Sequence, residues 1–244
     1  WELPTHEATK GVVAGLPVAQ AVFAQRLAGD GTVRLLASDG DPVVPGSAVL
    51  EVEGPVRELL IAERSALNLL THLSGVASLT ARWVAAVAGT GAVIRDTRKT
   101  LPGLRAAEKY AVRAGGGRNH RMNLGDQALI KDNHVLAAGG VVAAMAAVRA
   151  AAPDVFCEVE CDTLDQVEQA VTAGAVLVLL DNMGFDELRA AVALCRPAGV
   201  ATEASGGLTL DVAREVALTG VDYLAVGALT HSAPSLDLGL DLLG

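Results

Sequence analysis

The chain has 244 residues, 51% of them hydrophobic but only 3% aromatic, and a formal net charge of −9. That length suits one large domain or two smaller ones with cores filled by Ala, Val and Leu. No apolar run reaches the length of a membrane-spanning helix, and the acidic balance argues against a nucleic-acid partner.

The chain starts at Trp1 without Met or a signal-peptide pattern, and a preceding N-terminal segment is expected. Residues 1–57 are dense in turn signals such as Gly29-Asp30-Gly31 and Asp39-Gly40-Asp41-Pro42. Between them, the pattern predicts a helix over 17–27 and strands over 32–37 and 48–53, a small α+β unit. Over 56–88 apolar residues recur at threes and fours (Leu60, Leu67, Leu70, Leu73, Val76, Trp83, Val87), which predicts a long helix, broken near Ser74-Gly75, bridging two domains. The boundary is placed so that 1–70 form the first domain and 71–244 the second. Arg64, taken alone, reads as a surface residue of this helix.

From Gly89 a rhythm sets in. Runs suited to strands recur: AVIRDT at 92, ALIKDN at 128, VFCEVEC at 155, AVLVLLDN at 175, GVATEASGG at 199 and YLAVGAL at 223. Helical patterns separate most of them, over 139–152, 164–174, 185–195 and 209–220. Alternating β and α segments imply parallel strands with right-handed crossovers, and six of them imply an α/β barrel with fewer than the usual eight strands. Cys157, Cys161 and Cys195 form no metal-binding CxxC. An odd, sparse cysteine set fits a reducing cytoplasm, with Cys157 and Cys161 as small buried residues.

The charge is unevenly spread. Over residues 95–121 eight Lys/Arg face only Asp96 and Glu108. Such an island in an acidic chain points to a local anionic ligand. A solvated helix face explains Arg105, Lys109 and Arg113, spaced by four. It does not explain Arg98-Lys99 or His120-Arg121, which sit at element ends.

Polar groups close each strand run: Asp96 to Lys99, Lys131, Glu160, Asp181, Ser205 and Gly227. In barrels the carboxyl ends of the strands carry the chemistry. On VFCEVEC, period two sends Glu158 and Glu160 to one face and Cys157, Val159 and Cys161 to the other. Glu158 suits a buried ion pair or a ligand role equally; Glu160, nearer the strand end, suits the functional role. Arg98, Lys99, His120, Arg121 and Lys131 are donors for carboxylates. Glu160 and Asp181 can hold Mg²⁺ through water or accept from sugar hydroxyls. Ser205-Gly206-Gly207 and Val226-Gly227-Ala228 are strand-to-helix turns able to offer backbone N–H groups to phosphate. Read from residues alone, Lys131 also suits a Schiff-base lyase, and the whole set suits a non-catalytic anion binder.

The run DTRKTLPGLRAAEKYAVRAGGGRNHRMNLGDQALIKDNH resembles the quinolinate phosphoribosyltransferase family. So do ERSALNLLTHLSG, EVECDTLDQ, LLDNM, EASGGL and VDYLAVGALTHS, and more weakly GVVAGLPVAQAV. The start, WELPTHEATK, does not. The resemblance implies an N-terminal α/β sandwich followed by an incomplete six-stranded barrel. It implies a decarboxylating transfer of phosphoribosyl from 5-phosphoribosyl-1-pyrophosphate to quinolinate with Mg²⁺, in a cytoplasmic homodimer or an assembly of dimers. Arg98, Arg121, His120 and Lys131 are then expected around the two carboxylates, and Arg64 is expected to reach the partner subunit's site. Thr97 joins the substrate-binding set and Lys99 lies toward the donor. Glu160 and Asp181 face ribose and Mg²⁺. Ser205, Gly206, Gly207, Val226, Gly227 and Ala228 line the phosphate sites. Lys99, Lys131, Glu160 and Asp181 are the catalytic candidates. The rival within this fold takes nicotinate, without decarboxylation.

Overall fold

A computed structural model describes residues 1–4 and 10–241. Residues 5–9, within the start WELPTHEATK, lie outside them. The elements in order are β1 (Glu2–Pro4), β2 (Gly11–Val12), α1 (Leu16–Leu27), β3 (Thr32–Leu35), β4 (Pro42–Val43), β5 (Ala48–Glu53), α2 (Val56–Ala86), β6 (Val93–Arg95) and α3 (Arg105–Ala114). There follow β7 (Ala128–Ile130), α4 (Asp132–Ala138), α5 (Val141–Ala151), β8 (Cys157–Cys161), α6 (Leu164–Thr172), β9 (Leu177–Asp181), α7 (Phe185–Cys195), β10 (Ala201–Ser205), α8 (Ala213–Ala217), β11 (Tyr223–Ala225) and α9 (Ala228–His231). They group into two compact units. One holds Trp1–Arg82, Lys99–Gly117 and Ala228–Gly244; the other holds Trp83–Arg98 and Arg118–Gly227.

In the first unit an antiparallel sheet of order β1-β5-β3 and a two-stranded β2-β4 ladder pack with α1 and α2. The core is built by period. Leu16, Ala19, Phe23 and Leu27 line one stripe of α1, and Leu59, Ala62, Ala66, Leu67 and Leu70 line one of α2. Val49, Leu50 and Val52 of β5 close it. Helix α2 also serves as a strand edge. Ser74 and Ser78, one turn apart, each pair with both backbone groups of an alternate residue, Ala14 and Val12.

The break expected at Ser74-Gly75 is absent: α2 runs unbroken. Gly75 is there for close approach, since a Cβ on it would lie 2.1 Å from the Pro234 carbonyl oxygen. The solvated-face reading of Arg105, Lys109 and Arg113 fails at Lys109, which is wholly buried beside the buried Glu108. Glu108 accepts from His72 Nε2 (2.9 Å) and from the Leu101 N–H (3.1 Å), so this face of α3 turns inward around a satisfied carboxylate.

The second unit is a six-stranded parallel sheet of order β6-β11-β10-β9-β8-β7. Counted from β6, that order is the cyclic order of a barrel, opened between its first two strands. This is the incomplete barrel expected. The segment at Arg118 lies along the open edge of β6: its N–H donates to the Ile94 carbonyl (2.8 Å) and its carbonyl accepts from the Asp96 N–H (3.2 Å). The helix expected over 209–220 shrinks to α8, with a turn at 210–212 before it and another at 218–220 after it. Helix α4, which the sequence pattern did not predict, follows β7 directly. Cys161 is fully buried, and burial pushes its thiol up to about 12, as expected of a packing residue; Cys157 is only half-buried.

The Gly75 contact predicts that Gly75→Ala destabilises the protein by roughly 1–3 kcal/mol, because backbone on both sides must shift. Denaturant unfolding measures it; an unchanged midpoint would refute the close-approach reading.

Candidate active site

Register decides which side chains meet in the barrel. Glu158 pairs with Leu177 and Glu160 with Leu179. Leu179 pairs with Glu203 and Asp181 with Ser205. Glu203 pairs with Tyr223, and Ala225 pairs with Arg95. Partners in a parallel ladder point to the same face, and residues two apart share it. Arg95, Glu158, Glu160, Asp181, Glu203 and Ser205 therefore stand on one face. Lys131, two residues beyond Leu129 (the partner of Glu158), continues that parity.

The deeper layer of this face is charged. Glu158 and Glu203 are fully buried, and leaving either carboxylate unmet would cost several kcal/mol. His120 Nε2 lies 2.8 Å from Glu158 Oε2 and 3.5 Å from Glu203 Oε1. Gln127 Nε2 donates to Glu158 Oε2 at 2.7 Å. Arg95 donates to Glu203 Oε2 at 2.6 Å, with its guanidinium 3.6 Å over the Tyr223 ring. Burial first, then the Glu158 charge, raises the Glu203 carboxyl to about 7, against the pull of Arg95. One imidazole and two carboxylates within 4.8 Å of one another resemble a metal site. Here, however, Arg95 already neutralises one carboxylate, and among the described residues the His120 ring hydrogen-bonds Glu158 and only flanks Glu203. Of the two readings open for Glu158, its contacts fit the buried pair.

His120 reaches this layer because its loop is pinned to the end of β6. Asp96, wholly buried, accepts the His120 N–H (2.8 Å) on one oxygen and Asn119 Nδ2 (2.5 Å) on the other. The next residue, Arg121, donates through Nη1 to the Gln127 carbonyl at 2.9 Å. Burial, and then the charge of Arg98, hold the Arg121 guanidinium below its ordinary value. Two arginines whose fields oppose each other make a place that favours an anion.

Nearer the strand ends, Lys131 Nζ donates to Glu160 Oε2 at 2.8 Å; the lysine is half exposed and the carboxylate nearly buried. Asp181 accepts from Asn182 Nδ2 at 2.6 Å. Asn182 adopts a left-handed backbone, and its N–H donates to the Ser205 carbonyl at 3.0 Å. That brings it against Gly206, where a Cβ would lie 2.2 Å from Asn182 Oδ1 and 2.7 Å from its backbone nitrogen. Gly207, next in line, has open space around it and a positive φ. Val226, buried, donates its N–H to the Arg95 carbonyl; Thr97 and Gly227 are half-buried at the ends of their strands.

The barrel unit thus gathers Thr97, Arg98, His120, Arg121, Lys131, Glu160, Asp181, Ser205, Gly206, Gly207, Val226 and Gly227. Arg64, Lys99 and Ala228 belong to the first unit. There the loop that carries Lys99 is held from three sides. Thr230 donates to the Lys99 carbonyl (2.7 Å), Arg105 Nε donates to Thr100 Oγ1 (3.1 Å), and the Leu101 N–H reaches Glu108. Ala228 opens the short α9. Arg64 is 72% exposed and meets the neighbouring Glu63 at 3.5 Å. The sequence reading passed over Glu203 and Gln127, and used Arg95 and Glu108 only in a charge count. Glu203 was within reach: it stands two residues before Ser205, with the same parity as the strand's functional end.

Comparison with known proteins agrees over the whole length. Models of the N-terminal and C-terminal domains of quinolinate phosphoribosyl transferase match residues 3–74 and 76–241. The carboxylating nicotinate-nucleotide pyrophosphorylase of Mycobacterium leprae is 54% identical over 235 residues, 95% of this chain and 83% of that protein. The Homo sapiens enzyme of the same name is 44% identical, over 95% of this chain and 79% of that one. Among solved structures, NadC from Streptococcus pyogenes superposes with a TM-score of 0.93 at 43% identity, covering 98% of this chain and 84% of that one.

The raised carboxyl of Glu203 predicts a pH effect. Its folded value lies above its unfolded value, so its contribution to stability is full below about 4.5 and is lost as pH rises through about 7. Unfolding free energy should therefore fall between those values by on the order of 1–3 kcal/mol more in the wild type than in Glu203→Gln. Parallel stability–pH curves for the two proteins would refute it.

Proposed function

The chain belongs to the quinolinate phosphoribosyltransferase family, and from that premise we propose that it makes nicotinate mononucleotide, pyrophosphate and CO₂ from quinolinate and 5-phosphoribosyl-1-pyrophosphate. The observation that carries this beyond kinship is the opposed pair Arg98 and Arg121 in a barrel whose inward face also holds Lys131. A dianion relieves their mutual repulsion; a monoanion leaves part of it.

The quinolinate ring nitrogen forms a bond to the anomeric carbon as the bond from that carbon to pyrophosphate breaks, its electron pair leaving with pyrophosphate. The ring is now a pyridinium. Loss of the adjacent carboxylate as CO₂ leaves the C–C electron pair on the ring carbon, where the cationic nitrogen stabilises it until a proton from water replaces it. Arg98, Arg121 and Lys131 hold the carboxylates, with His120 beside them. By kinship, Lys99 and the Ser205-Gly206-Gly207 and Val226-Gly227-Ala228 turns are read as taking the phosphates, with Thr97 in the substrate-binding set. The protein's part is positioning and charge stabilisation.

Glu160 and Asp181 are the Mg²⁺ candidates. They are oxygen ligands on one face of adjacent strands, one oxygen of each being engaged by Lys131 and Asn182. Two carboxylates with the donor's own oxygens form a set Mg²⁺ accepts. When bound, the ion would neutralise charge on the departing pyrophosphate.

We read the working form as a homodimer, extended in some settings to assemblies of dimers. Leu60 and Ile61 of α2 are exposed large apolar residues within about one turn of the exposed Arg64, and Val56 lies one turn further back. Three free cysteines support a cytoplasmic location.

Quinolinate should be turned over with release of CO₂, and nicotinate should not. Lys131→Ala and Arg121→Ala should each lose roughly 10- to 100-fold or more in kcat/KM for quinolinate with little change in Tm. Equal use of both acids by the wild type would reject the assignment.

A shared site makes a second prediction. If Arg64→Ala and Lys131→Ala are each inactive, refolding them together gives mixed dimers in which one site carries both lesions and the other neither. Half of random dimers are mixed, so activity should return to about a quarter of wild type. If mass measurement confirms mixed dimers and the mixture stays dead, Arg64 acts within its own subunit.

A further inference from the structure

The reaction as proposed gives no task to Arg95, Gln127 or Glu203, although all three are drawn into the barrel's charged layer. The key to them is His120. Its Nδ1 lies 2.7 Å from the backbone nitrogen of Arg121, whose N–H can only donate. Nδ1 therefore carries no proton, since a proton there would face another proton. The ring's single proton sits on Nε2, pointing at Glu158 Oε2, with Glu203 Oε1 flanking the same nitrogen at 3.5 Å. The main-chain N–H occupies the position that a second ring proton needs. Arg95, bound to Glu203 at 2.6 Å, cancels one of the two negative charges beside Nε2. Both ring nitrogens are thus spent on the protein, and the side chain is 94% buried, being 6% exposed.

We infer that Glu203, clamped by Arg95, is a positioning residue that, together with Glu158, fixes His120 as the neutral Nε2–H tautomer. Nδ1 then grips the Arg121 main chain and sets the aim of that arginine. His120 supplies no charge to the dianion. It is the link through which a buried carboxylate two strands away controls a cation at the substrate. Gln127 closes the set from the other side: its amide donates to Glu158, and its carbonyl accepts the Arg121 guanidinium. Both ends of Arg121, main chain and side chain, are referred to the same buried carboxylate. The inference rests on the proposed reaction only for what Arg121 holds; the tautomer belongs to the free protein.

The test has two parts. With ¹⁵N-labelled histidine, the His120 signals, identified by their loss in His120→Asn, should show an unprotonated Nδ1 and a protonated Nε2 in the free protein and with quinolinate bound. A cationic ring in either state overturns the inference. In kinetics, Glu203→Ala should lose roughly 10- to 100-fold in kcat/KM for quinolinate with KM for phosphoribosyl pyrophosphate unchanged, as expected of a displaced substrate-holding group. Glu203→Gln, which keeps acceptor and shape, should recover most of it. Equal losses toward both substrates, or no rescue by Gln, mean a purely structural role and overturn it too. Should Glu203→Ala not fold, the Gln variant and the wild-type spectrum still decide. If wild-type protein neither binds nor turns over quinolinate, the proposed function fails, and the free-protein spectrum still judges the tautomer.

Discussion

A carboxylate on the inward face of a parallel strand has no water to turn to, and most of the barrel's inner arrangement follows from that. Glu158, Glu160 and Glu203 stand inward because strand parity puts them there. Each must then be met, and each is met by a group from a different place: His120 and Gln127 from the loop beyond the open edge, Lys131 from the end of β7, Arg95 from β6. The partners of Glu158 and Glu203 are fixed by geometry, because misplacing one of them strands a fully buried charge at a cost of several kcal/mol. A substrate site assembled from such partners is therefore organised before substrate arrives.

The first unit solves a similar problem with main-chain groups. Ser74 and Ser78 on α2 pair with the backbone of Val12 and Ala14, and Glu108 takes the backbone N–H of Leu101. The Lys99 loop has no regular structure of its own. It is held by Thr230, 131 residues away, and by Arg105 and Glu108 of the helix that follows it. In both units a helix or strand of ordinary propensity carries one polar residue that disciplines a loop.

The architecture was legible because the strand runs are short and mostly apolar and helical patterns separate most of them. Every one of the six barrel strands lies inside the run that marked it. What misled was ambiguity in single residues. Gly75 read as a helix breaker, yet its missing side chain makes room for the Pro234 carbonyl. Lys109 read as solvated because its spacing from Arg105 and Arg113 is helical, but period alone cannot say which way a stripe of cations faces. The polar residues closing each strand were found by position, and so were His120 and Arg121. The supports beneath them were not: Glu203 and Gln127 gain meaning only from neighbours distant in the chain, and no local pattern announces a partner. His120 shows the cost of reading by residue type. A histidine in a basic run suggests a positive charge, whereas its surroundings fix a neutral ring.

The turn where Gly206 meets Asn182 bears on how this barrel can diverge. A side chain at 206 would strike both the amide oxygen and the main-chain nitrogen of residue 182. Replacing Asn182 relieves only the first collision. No pair of substitutions at the two positions opens the turn, so drift there is blocked in both orders of mutation. The route left is a change in loop length after β9 or β10 that moves the two backbones apart. Among descendants of this sequence, altered loops after β9 and β10 should therefore arise by insertion or deletion, with 206 remaining glycine wherever the loop lengths are kept.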